Sequence, residues 1–226
     1  MKNRREVSQL FAAVAALTAV SSAQAQFGGL LGGGKGGGGS SSADIDAVVA
    51  LTVELGKATG ILMNQLLYAY ANKAEAAKYL DIAKSIQAQT KPSEIGASLS
   101  DTSKSADVIK ANLADTAEAE AAFNKLSPEM QKFVWKSVGT GVSAIAKGVL
   151  AFNKFKDLMA KPPSNPMELV KLKDCATPLE FVFKNVPPIF SQVGKLASRV
   201  KQDVPKPDEG AKLVASAEGW PENTNG

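Results

Sequence analysis

The chain has 226 residues, with 26 lysines and arginines against 22 aspartates and glutamates, one cysteine and no histidine. Without histidine there is no Ser-His-Asp triad, no Cys-His dyad and no imidazole-ligated zinc, iron or haem. A single cysteine excludes an internal disulfide and any cysteine-rich metal site. No nucleotide, metal or other cofactor motif replaces them; Glu118 and Glu120, two apart on a helix, point in different directions and do not read as an acid–base dyad, and chemistry by aspartate, glutamate, lysine or serine alone has no positive sign.

Residues 1–25 have the three parts of a secretory signal. Lys2, Arg4 and Arg5 form a basic start, Leu10–Val20 is apolar, and Ala23-Gln24-Ala25 offers small residues to signal peptidase, so cleavage is expected between Ala25 and Gln26. Eleven apolar residues are too few to cross about 30 Å of hydrocarbon as a helix. The Arg4-Arg5 pair lacks the flanking residues of a twin-arginine signal, which favours the general secretory route. The expected location is periplasmic or extracellular. Removal of the signal leaves 23 basic against 21 acidic residues, a balance that gives no electrostatic reason to expect nucleic acid as a partner.

Residues 26–43 are rich in glycine and serine and read as a flexible linker, because ordering glycine costs entropy and little in the stretch can be buried. Gly29–Lys35 matches the spacing of a phosphate loop, but Gly36 stands where that motif needs serine or threonine, and neither strand nor helix flanks it.

Residues 44–203 read as a helical domain. Over 44–71, Ile45, Val48, Thr52, Leu55, Thr59, Leu62, Leu66 and Ala69 form one seam. Val49, Val53, Gly56, Gly60, Met63, Leu67 and Tyr70 form a second beside it, so this helix should touch at least two others. Asp44 is its expected N-cap. A second helix over 73–89 carries Ala77, Leu80, Ala83 and Ile86, and Pro92 and Gly96 are expected to break the chain over 90–100. A third helix over 101–125 presents Ala106, Ile109, Leu113, Ala117 and Ala121.

Ser127-Pro128-Glu129 starts a long helix over 128–160, with Ser127 as cap and Met130, Val134, Val138, Val142, Ile145, Val149, Phe152, Phe155 and Met159 inward. Its small apolar middle lies between Lys136 and Lys147, too short a run to span a bilayer. No transmembrane helix is expected in the mature chain. Pro162, Pro163 and Pro166 impose a loop before a short helix at 166–173. Thr177-Pro178 suggests another start, and Pro187-Pro188 is expected to kink or split the last helix. Lys184, Lys195, Arg199 and Lys201 make the outer face of that helix basic, a candidate contact surface for anionic lipid or a protein partner. Cys175 is expected to be a buried free thiol. Residues 204–226 read as an extended tail, loose apart from a possible docking of Trp220 and Val214.

The Gly/Ser-rich leader Gly28–Ser42, the stretches LSPEMQKF (126–133) and AKGVLA (146–151), and FKNVPPIFSQVGKL (183–196) resemble a group of uncharacterised exported all-helical proteins of Gram-negative bacteria. The resemblance implies an envelope or secreted location and carries no functional residue with it.

The fold expected is therefore all-α: an antiparallel bundle of about five helices with a flexible N-terminal leader and a loose C-terminal tail. The function expected is contact, as a non-enzymatic scaffold, adaptor or envelope-associated factor. One alternative is a carrier of an apolar ligand or lipid in the bundle core, with room left by Gly56, Gly60, Gly139, Gly141 and Gly148. Another is a membrane-active amphipathic protein.

Overall fold

The computed structural model describes residues 42–203, 206, 213 and 215–225. The expected signal peptide, its cleavage site at Ala25 and Gln26, almost all of the Gly/Ser-rich linker, and Val214 lie outside the described residues.

The described chain is all-α, with no strand among the described residues. Helix α1 (Ser42–Tyr70) is followed by α2 (Lys73–Ala88), α3 (Pro92–Thr102), a 3-10 turn (Ser103–Ser105), α4 (Ala106–Asn112), α5 (Ala117–Lys125), α6 (Pro128–Ala160), α7 (Pro166–Phe190) and α8 (Val193–Arg199). Helix α1 is central. It packs on α2, α3, α6 and α7, which is why it carries two apolar seams. All eight residues of its first seam are buried, as are Gly56, Gly60, Met63 and Leu67 of the second.

Glycines set how closely these helices approach. A Cβ on Gly56 would stand 2.6 Å from Ile95 Cγ2 of α3, and one on Gly60 would stand 2.9 Å from Ile86 Cδ1 of α2. A Cβ on Gly141 would collide with the Phe190 ring of α7, and one on Gly148 would meet Val182 at ordinary contact distance. The room that these four glycines leave is taken up by neighbouring helices.

Four local expectations are corrected. Residues 90–100 are not a break: Pro92 occupies the first turn of α3, where its missing N–H costs nothing. The Glu94 carboxylate accepts the N–H groups of Thr90 and Lys91, while Ile95 and Leu99 pack into the core. The helix expected over 101–125 is interrupted. Thr116 starts a new one by accepting the Ala119 N–H, so the buried positions shift to Ala119 and Phe123 and leave Ala117 and Ala121 exposed. Helix α7 runs unbroken through Thr177-Pro178 and Pro187-Pro188. Leu172, Cys175, Leu179, Val182, Val186, Ile189 and Phe190 are all buried along it, and that packing outweighs the backbone donors lost at the prolines. The break comes later, at Ser191-Gln192. Asp44 lies in the first turn of α1 rather than at its cap, because the helix already includes Ser42.

A fifth correction concerns the tail. Residues 215–225 form neither helix nor strand and bend at 217–219, with Gly219 at φ 68°, but they are not loose: they lie against α1, α2 and α6, and Trp220 docks as its sequence allowed. By contrast Ser127 caps α6 as its sequence implies, accepting the Met130 N–H at 3.2 Å, and the long helix buries the expected side chains with Val149 half-buried.

Candidate contact surface

The four basic residues read as a contact face do not act as one patch. Lys184 is exposed on α7, and Lys201, exposed just beyond α8, adopts a left-handed backbone with φ 57°. Lys195 and Arg199 of α8 turn instead toward the chain between α4 and α5. Arg199 Nε donates to Asp115 Oδ1 at 2.6 Å, a second guanidinium nitrogen lies 3.6 Å from Glu120, and Lys195 lies 3.6 Å from Asp115. The Arg199 guanidinium holds the Asp115 carboxyl below the usual carboxylate range, and Arg199 is raised in turn. Half of the expected basic face is thus spent in docking α8 onto its own bundle.

Cys175 is fully buried, with its thiol donating to the Lys171 carbonyl at 3.3 Å. Burial pushes the thiol up to about 11, so it stays neutral and weakly nucleophilic at ordinary pH.

Sequence reasoning allowed for docking of Trp220 but missed the groove that holds the whole C-terminal segment. Glu54 of α1 and Lys147 of α6, both largely shielded from solvent, pair at 2.7 Å, and the same Glu54 oxygen accepts the Leu213 N–H at 2.9 Å. Gln65 of α1 accepts the Ser137 hydroxyl of α6 through its oxygen and donates to the Ser216 carbonyl through its nitrogen. Gln87 of α2 accepts the Ala217 N–H at 2.7 Å. Trp220 then lies edge-on to Tyr68 with ring centres 5.0 Å apart and tilted against Phe133 at 5.5 Å. Its indole N–H is satisfied by the Ser216 carbonyl, and the Tyr68 hydroxyl donates to the Pro221 carbonyl.

The end of the segment completes a helix terminus. The last carbonyls of a helix have no intrahelical partner. Asn223, itself buried, donates its carboxamide to the Tyr68 and Ala71 carbonyls, and Asn225 donates to those of Ala69 and Ala71. The Lys73 N–H, at the start of α2, returns a bond to the Asn225 carbonyl at 2.9 Å. The turn from α1 to α2 is therefore capped by a segment about 150 residues downstream. Its trace in the sequence is Trp220 followed by two asparagines, against a tyrosine at the end of the first helix.

Among the described residues no helix is long and apolar enough to cross a membrane, and no group of three or more metal-binding side chains occurs. Comparison with protein-family models, curated proteins and solved structures finds no match.

Proposed function

We propose that this chain is an exported, non-enzymatic helical bundle that works by binding a protein partner in the periplasm or outside the cell. The N-terminal signal pattern supports export. The observation that carries the binding reading is the groove of α1, α2 and α6, which holds a non-helical stretch of polypeptide by an aromatic anchor and by hydrogen bonds at both ends. Grooves that seat a short segment by a few anchoring side chains are a recurring form of peptide recognition.

The close approach of Ile95, Ile86 and Phe190 to Gly56, Gly60 and Gly141 favours a packing role for those three glycines over the alternative of an apolar ligand in the core. The test is to express the full chain with a photo-crosslinking residue in place of exposed Lys73 or Glu218, at the rim of the groove. The reading expects a mature protein beginning at Gln26, outside the inner membrane, that cross-links to a discrete protein in intact cells. An uncleaved cytoplasmic chain, or one that gives no cross-link besides its own, would end it.

A further inference from the structure

We propose that the groove of α1, α2 and α6 is a receptor site for a non-helical segment of another protein, one carrying a tryptophan followed within five residues by two asparagines, and that the C-terminal segment with Leu213 and residues 215–225 is its resident competitor. The proposal rests on the contact-acting reading above and names its partner and its regulation.

How the segment is read carries the argument. Five of its main-chain groups are used: the N–H of Leu213 and Ala217 and the carbonyls of Ser216, Pro221 and Asn225. Groups common to every peptide can be supplied by a foreign chain as well as by this one. Selectivity falls to the few side chains that reach the bundle. Leu213 and Ala217 are buried in its core, Trp220 sits against Tyr68 and Phe133, and Asn223 and Asn225 occupy helix-end carbonyls that need a donor whichever chain provides it.

Most of the body-side groups are also held by the bundle itself: Glu54 is paired with Lys147, Gln65 accepts the Ser137 hydroxyl, and Tyr68 stands edge-on to Phe133. The Gln87 carboxamide and the apolar surface of Ile61, Ala83 and Ile86 are completed by Ala217 of the segment. The segment, in turn, contributes no residue to α1–α8, so its departure leaves the turn from α1 to α2 uncapped without removing a helical residue. A tethered competitor acts at an effective concentration of the order of millimolar, which sets a threshold that only a well-matched or locally concentrated partner passes.

The test uses the full-length protein and a fluorescent peptide with the sequence of residues 213–226 as probe. Anisotropy should show the Trp220→Ala chain binding the probe at least tenfold more tightly than wild type, because its own segment has lost its anchor. Asn223→Ala with Asn225→Ala should give the same gain from the other end, and adding Phe133→Ala to Trp220→Ala should remove it. Equal binding by wild type and Trp220→Ala, or none by either, would overturn the proposal while leaving export and partner capture standing on their own test. Loss of helicity in both segment variants would also overturn it, by making the segment part of the bundle's stability. So would wild-type dimers, seen by light scattering, that the probe dissolves, since the occupant would then be a second copy.

Discussion

Gly141 and Phe190 show how a single missing side chain fixes a helix pair. On an exposed helix, glycine to alanine gains about 1 kcal/mol of helix propensity. Here a Cβ would enter the space of the buried Phe190 ring, and overpacking of this kind costs roughly 1–3 kcal/mol. Gly141→Ala should therefore destabilise the wild-type bundle in urea. In a Phe190→Leu background, where the ring is gone, the same change should be neutral or stabilising. A double-mutant cycle without that change of sign would show that α6 and α7 do not meet as described. The glycine was legible in the sequence as a small residue in an apolar helix. The ring it accommodates was not, because the two lie about 50 positions apart and only the fold brings them together.

At the scale of the element, local punctuation was read correctly where packing agreed with it and incorrectly where packing opposed it. Ser127-Pro128 starts a helix because α5 has already ended at Lys125 and Leu126 is extended, so no helix runs into the proline. Thr177-Pro178 has the same chemistry, yet the helix runs through it, because Leu172 and Cys175 before it and Leu179 and Val182 after it are already seated in the core. Pro92 looked like a breaker and is a first-turn residue, since Ile95 and Leu99 follow it at core spacing. The short α8 is held partly by charge, which makes its docking pH-dependent. Asp115 titrates below its ordinary range in the folded chain, so its contribution is fully present above the usual carboxylate pKa of about 4 and is lost as pH falls through the lowered value. Asp115→Asn should lower stability at pH 7 slightly, as loss of an exposed pair does, and should flatten the decline in acid by that same small amount. An acid-unfolding profile for Asp115→Asn that overlays that of wild type would remove Arg199–Asp115 from the account.

For the whole molecule, the two seams of the first helix and the inward face of the long helix were enough to give an all-helical bundle. Ile145 belongs to that face and is buried. Ile145→Asp places an uncompensated charge in the core, which should cost several kcal/mol and abolish the cooperative thermal transition seen by circular dichroism. A melting curve like that of the parent would contradict the assigned core. The docked C-terminal segment was the least legible feature. Proline, glycine and the absence of periodicity signalled a tail without helix, which holds for residues 215–225, and Trp220 was the one docking signal. The rest of its hold comes from main-chain groups, two carboxamides and the buried Leu213 and Ala217, which leave no periodic mark.

The account turns on that segment resting in a groove the bundle forms without it. Native-state hydrogen exchange of the full chain in low urea tests this directly at Lys73, whose N–H is bonded to Asn225, and at Leu213 and Ala217, bonded to Glu54 and Gln87. These three amides should exchange through a local opening that urea barely changes, while those of Leu62 and Leu66 in α1 wait for global unfolding. Exchange of all five at one rate, with one steep dependence on urea, would mean that segment and bundle form and dissolve together, and the groove would be no separate binding surface.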